Sequence, residues 1–557
     1  MRLKSRWAIG SDTYGLVVQT LDEEDLEDDQ QEFVWDRCLN DQMFVFQENE
    51  LERILDCIIT NMTPQRAPSQ KPVPANLLFL SARYAHYHSG PELLTKLLDS
   101  ATNKINDVVE HHQWDMTMLA FWISNTTLLL HYLKKDPGLL EATVEFQLHL
   151  AELINEIFIL IIRDAERRMN KVLEEAILDH ETIPGLEDVH FQNEWKLFRS
   201  KSRAKLPEEP PEKRFRPPSP RRRAKVSPRT VTSLLSSTLF VLDLYDVHSV
   251  ITTQIIAQLF YWLGAELFNR IMSTKRYLAR TKAMQIRMNV STLEEWARAT
   301  NRQPEHYENG STTCTGESTA EAARKHLAPV IQLLQWLQCF SSLGDDFGSL
   351  VSTLLQLQQL TPAQLLQAAK SYRPEVGEKG LTKTATKFLV NLKRDPDLLY
   401  REQRKLEEAE EESRKKEEEG GGGEKEEGEN GASHPQPEGS SQTSLETKQQ
   451  QQQQQEREEA KSSTARQRKA ESPPPEPPRS PASSSTSGRP ESWAKADMES
   501  TSVFLDPSFT LPFSLPTSTD MLISYGAGWG GTNRERARKY IPTVPPEVLL
   551  RFDREAY

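Results

Sequence analysis

From Leu77 to about residue 395, apolar residues recur at helical spacing and almost nowhere alternate, which restricts this stretch to packed helices. Met116, Leu119, Ile123 and Leu130 share one face, and Leu153, Ile157, Ile161, Ala165 and Met169 share another in a helix expected to run past Leu173. Ile251, Ile255, Leu259 and Trp262 form a third stripe, and Val330, Leu333, Leu337 and Phe340 a fourth. Runs of Val, Ile and Thr with strict alternation are missing, so no sheet is expected. The stripes read as core, and Trp122, Trp262, Trp296 and Trp336 as helix–helix contacts rather than a ligand cage.

Hydrophobic residues make up only 37% of the 557. That figure averages two unlike parts, because residues 400–500 hold almost no Leu, Ile or Trp and cannot offset their ordering entropy by burial. The formal charge of -13 argues against nonspecific nucleic-acid binding. Cys38, Cys57, Cys314 and Cys339 are scattered without CxxC spacing, which fits a reducing compartment. Arg2, Lys4 and Arg6 are not followed by an apolar run, so no signal peptide is expected. Val250 to Phe268 approaches bilayer-spanning length, but Gln254, Gln258 and Glu266 would be costly in lipid, and a buried core helix is expected.

Composition divides the chain into four parts. Residues 1–70 form an acidic extension with a short ordered segment, and 71–395 a helical domain interrupted by a basic, Pro-rich loop at about 201–229. Residues 396–500 read as a disordered low-complexity linker that begins as a charged, helix-prone run. In 501–557 order returns, and proline spacing expects this tail to lie extended across the helical domain.

No catalytic constellation assembles. His180-Glu181 begins like a zincin motif, but Pro184 stands where the second His is needed. The GxG within Gly526 to Gly531 follows no strand and lacks a P-loop's GK[ST], so no phosphate cradle, cofactor or metal is expected. Interaction motifs are more plentiful. Arg221, Arg222, Arg223 and Lys225 could contact an anionic surface. Pro474, Pro477 and Arg479 fit PxxPxR, an SH3-type polyproline ligand. Ser219, Ser227, Ser472 and Ser480 each precede Pro as candidate phosphorylation sites. Ser291, with Glu294 three residues on, reads as the N-cap of a new helix.

Five blocks in order resemble the dilute (DIL) domain, the cargo-binding globular tail of class V myosins. They are Asn76–Ala85, Leu119–Thr126, Leu178–Gly185 (similar to LEHETIQG), Gln258–Ala265 and Lys282–Trp296. The region Glu32–Asp36 is similar to fungal non-motor DIL proteins, some of which carry ankyrin repeats. The resemblance implies an elongated all-α domain of two helical subdomains with a C-terminal segment packing back. It implies a non-enzymatic adaptor or effector binding a small GTPase (Rab or Ras-like) or an organelle adaptor, cytoplasmic and peripheral on vesicles or Golgi. Two alternatives are a GTPase-independent cargo adaptor and a lipid-surface scaffold using the basic loop.

Overall fold

The computed structural model describes residues 33–184, 191, 226–308, 311–314, 316–343, 346–420, 503–517, 520–522 and 541–553. Fifteen α-helices and a two-stranded hairpin are described, and the chain divides into two compact units.

The larger unit comprises 1–342, 367–380 and 502–557. Its first half contains α1 (Leu51–Leu55), α2 (Val73–Tyr84), α3 (Pro91–His111), α4 (Met116–Lys135), α5 (Pro137–Ala142) and α6 (Val144–Asn170). The second half holds α7 (Pro228–Leu244), α8 (Ser249–Ser273), α9 (Arg280–Ala299) and α10 (Thr319–Cys339). The expected stripes are buried: Met116, Leu119, Ile123 and Leu130 on α4, Ile251, Ile255, Leu259 and Trp262 on α8, and Val330, Leu333 and Leu337 on α10. The side chain of Phe340 lies outside the described residues. Among the described residues no helix is long and apolar enough to cross a membrane, and α8 is the buried core helix expected. It crosses α10 so closely that a Cβ on Gly264 would stand 2.1 Å from the carbonyl oxygen of His326, so only glycine fits there.

A buried ion pair fixes the first half. Arg83 and Asp136, both fully buried, meet at 3.0 Å. The guanidinium also donates to the carbonyls of Val34 (2.9 Å), Arg37 (2.6 Å) and Gln42 (3.3 Å), pinning the extended segment before α1 onto α2. Asp136 accepts from the Tyr87 hydroxyl (2.8 Å) and caps α5 through the amides of Gly138 and Leu139. A Cβ at Gly138 would sit 2.2 Å from that hydroxyl. Aromatic rings close the junction, with Trp35 packed on Phe79 and Tyr132.

Four expectations are corrected. Ser291 is not an N-cap: α9 runs unbroken through it, and its hydroxyl donates to the Met288 carbonyl (2.7 Å) while Glu294 pairs with Arg287 (2.7 Å). The first turn of α9 is capped from far away, since the Glu375 carboxylate accepts from the amide (2.8 Å) and hydroxyl (2.6 Å) of Thr281. The α6 helix stops at Asn170, and a turn and a π-turn at Glu174–Leu178 carry the chain past Leu173. A hairpin, β1 (Glu305–Glu308) and β2 (Ser311–Cys314), pairs antiparallel in the register Glu305 to Cys314, too short to show as alternation. The tail's last piece is helical, α15 (Pro546–Asp553), with Pro546 in its first turn.

The second unit comprises 343–366 and 381–501. It contains α11 (Phe347–Gln356), α13 (Lys383–Arg394) and α14 (Leu398–Gly420); α12 (Pro362–Ser371) spans a unit boundary. Phe347 packs edge-on against Phe388 (5.0 Å). The start of the expected disordered linker is thus helical, because Leu399 is buried and anchors a run of good helix formers.

Arg83→Met should lower stability in urea unfolding by about 3–5 kcal/mol, because it strands a buried carboxylate. Adding Asp136→Leu should recover part of that loss.

Candidate protein-binding surface on helix α8

Along α8, three carboxamides and a phenol interrupt the apolar surface at Gln254, Gln258, Tyr261 and Asn269. Spacings of four, three and eight keep them in one row. A carboxamide offers a donor and an acceptor side by side, matching the N–H and C=O of one extended residue. Asn269 accepts from the Leu505 amide (2.9 Å) and donates to its carbonyl (2.8 Å). Tyr261 donates to the Asp506 carbonyl (2.8 Å). Gln258 donates to Phe509 (2.9 Å) and accepts from Leu511 (2.8 Å). Gln254 bridges the carbonyl (2.8 Å) and amide (2.7 Å) of Ser514.

The tail therefore lies extended and antiparallel along α8, read through its main chain like an added strand. This is the extended, returning C-terminal segment that the sequence led one to expect. Its side chains contribute less: Phe513 stacks on Phe158 of α6 (4.2 Å), but Phe504 and Phe509 are about half exposed.

Below Leu515 the strap ends in a single turn, Asp520–Leu522, held by histidines. The His248 Nε2 faces the Asp520 carbonyl (3.1 Å) while its Nδ1 accepts from the Val250 amide (3.2 Å), an arrangement only the neutral ring can make. His306 faces the Asp520 carboxylate (3.2 Å). Buried His131, with no hydrogen-bond partner at either ring nitrogen among the described residues, lines a small cleft with Lys134, Pro516 and Met521. Burial pushes His131 down to about 4, and neighbouring Lys135, His248 and Lys134 add to it. His248 is likewise pushed down to about 4 by burial, with Asp520 opposing.

A cavity of about 260 Å³ opens beside this turn, lined by Lys71, Asn76, Asn125, Tyr245, Met521 and Thr543. Its polar groups largely fasten the protein to itself. Asn76 donates to the Thr543 carbonyl (2.7 Å) and accepts from Tyr132 (3.0 Å), and Lys71 pairs with Asp246 (2.8 Å). Farther along, Arg53 donates to the Phe552 carbonyl (3.0 Å), so the tail is tied to both halves of the larger unit.

The remaining motif residues are structural. On α9, Asn289 donates to the carbonyls of Ile177 and His180 (both 2.8 Å) and accepts from the Thr182 hydroxyl, while Gln285 bonds Ile183 and His180 (both 3.2 Å). The HETIP segment is thus a backbone loop clamped by a helix. Among the described residues no group of three or more His, Cys, Asp or Glu could hold a metal. Ser227 forms a capping box with Thr230 at the start of α7. Arg221, Arg222, Arg223, Lys225, Pro474, Pro477 and Arg479 lie outside the described residues, as do Ser219, Ser472 and Ser480. Sequence reading missed the carboxamide row, although polar residues at helical spacing inside an apolar run were its signal.

The family description "DIL domain" matches residues 254–376. The chain carries a DIL domain. A dilute domain-containing protein of Schizosaccharomyces pombe is 37% identical over 62% of this chain and 58% of its own length. Human unconventional myosin-Va is 25% identical over 60% of this chain and 17% of its own. The chain thus spans little more than half of the fungal relative and a sixth of the myosin. A solved structure described as the myosin V cargo binding domain aligns with 63% of this chain and 85% of its own at 14% identity, with a TM-score of 0.45. The DIL match holds the whole carboxamide row, the clamp residues Gln285 and Asn289, and the remote cap Glu375.

Gln254→Ala with Gln258→Ala removes four bonds to the strap's main chain, together with the longer one that the Ser514 hydroxyl donates to Gln254 (3.3 Å). At about 1 kcal/mol each, amide exchange at Leu511 and Ser514 should speed up by two to three orders of magnitude while the α8 core stays protected. The histidines give a second test. Each ring is held neutral in the fold and returns to about 6.5 when unfolded, so their contribution is complete above that pH and is lost as pH falls toward 4. Going from pH 7.5 to 5 should cost about 2 kcal/mol per histidine, against an opposing gain from Glu166, which burial pushes up to about 7. His131→Phe should raise the melting midpoint at pH 5 relative to that at pH 7.5, compared with the unchanged chain.

Proposed function

We propose that this chain is a non-catalytic, cytoplasmic protein-binding adaptor whose helical DIL domain joins a small GTPase of the Rab or Ras-like class to vesicle or organelle cargo. The observation that carries the binding reading is the row on α8, which holds an extended polypeptide through its backbone. A helix presenting paired donors and acceptors to a main chain is a peptide-recognition device, with affinity from backbone bonds and selectivity from flanking side-chain pockets. The DIL match and the 37% identical dilute domain-containing protein support placing the chain among partner-binding tails. The GTPase assignment rests on the resemblance to myosin tails alone.

The test is capture of GTPases, loaded with a non-hydrolysable GTP analogue or with GDP, by the full chain. Binding at least tenfold stronger in the GTP form for one or more members supports the effector reading. Cargo proteins captured without nucleotide dependence would replace it with a GTPase-independent adaptor, and no partner of either kind would overturn both.

A further inference from the structure

Away from the strap, α5 and α6 present a second apolar surface. Thr143 alone separates the two helices, and the bonds from its amide to Leu139 and from Gln147 to its carbonyl keep the helical path nearly continuous. Along this path Leu140, Val144 and Leu148 are 42%, 62% and 61% exposed, and Ala151 is half-buried. Spacings of four, four and three align them in one row, on the opposite side of α6 from the buried Phe146, Leu150, Leu153 and Ile157. A core-facing helix needs one apolar stripe, and α6 has two.

Beside the outer row runs an acidic one. Glu141, Glu145, Glu152 and Glu156 are all exposed, with spacings of four, seven and four. Among the described residues none of the four makes an ion pair. An apolar row edged by unpaired acids is unsuited to an anionic lipid surface, which the carboxylates would repel. It suits a helix with its own apolar row flanked by Lys or Arg, as in side-by-side helix pairs whose seam is apolar and whose edge carries opposite charges.

We infer that the outer face of α5–α6 is a docking surface for a basic amphipathic helix of a partner protein, with Leu140, Val144 and Leu148 as anchors and the four glutamates selecting the basic flank. This deepens the adaptor reading and rests on it, but is tested independently of any GTPase. The probe is a fluorescein-labelled peptide of three Leu-Lys-Lys-Leu-Leu-Lys-Lys heptads, titrated with the full chain at physiological salt and read by anisotropy. A peptide with Glu for every Lys is the control.

The Lys peptide should bind and the Glu peptide should not. Val144→Asp with Leu148→Asp should weaken binding at least tenfold, and so should Glu145→Lys with Glu152→Lys. Glu410→Lys with Glu411→Lys, an equal charge change on α14, should alter it less than twofold. The inference is overturned if the Lys peptide fails to bind, if the Val144 and Leu148 changes have no effect, or if the α14 reversal weakens binding equally, since attraction would then come from net charge. It is also overturned if vesicles of phosphatidylcholine and phosphatidylserine bind the chain through Val144 and Leu148. A GTPase panel without partners would leave all of these outcomes readable.

Discussion

Burial of α8 is the constraint around which the larger unit is arranged. A helix enclosed on nearly every side must satisfy each polar side chain it carries, and Gln258 is almost fully buried. Another helix could not do this, since its amides and carbonyls are already committed to one another. An extended segment has both sets free, and the tail supplies one. The same pairing that relieves the carboxamides also relieves the strap's main chain, so each side is incomplete without the other.

The Arg83–Asp136 pair plays the corresponding part in the first half. A guanidinium without water needs many acceptors, and this one collects a carboxylate and three carbonyls from a segment that lacks regular structure of its own. The segment is ordered by what it offers the charge. Its aromatic residues then have a fixed place to pack, which turns a loop into part of the core.

Helix periodicity is legible in the sequence because it is local: the stripes on α4, α8 and α10 and the prolines that keep the tail extended all act within a few residues. What stays hidden depends on distant partners. Ser291 and Glu294 look like a capping pair, yet each finds a better bond within a continuing helix, and the real cap of α9 comes from Glu375. In the sequence, the carboxamides of Gln254 and Gln258 read only as obstacles to membrane insertion. Their role becomes visible once residues some 250 positions away lie beside them.

The borrowed cap has a consequence for dissecting this chain. The DIL match ends at Val376, one residue past the carboxylate that holds the amide of Thr281. A piece cut a few residues earlier would keep every residue of α9 and every apolar stripe around it, but would leave that helix to fray at its first turn. For α9, a safe cut is set by where the acceptor for its first amides lies, and not by where the last helix ends.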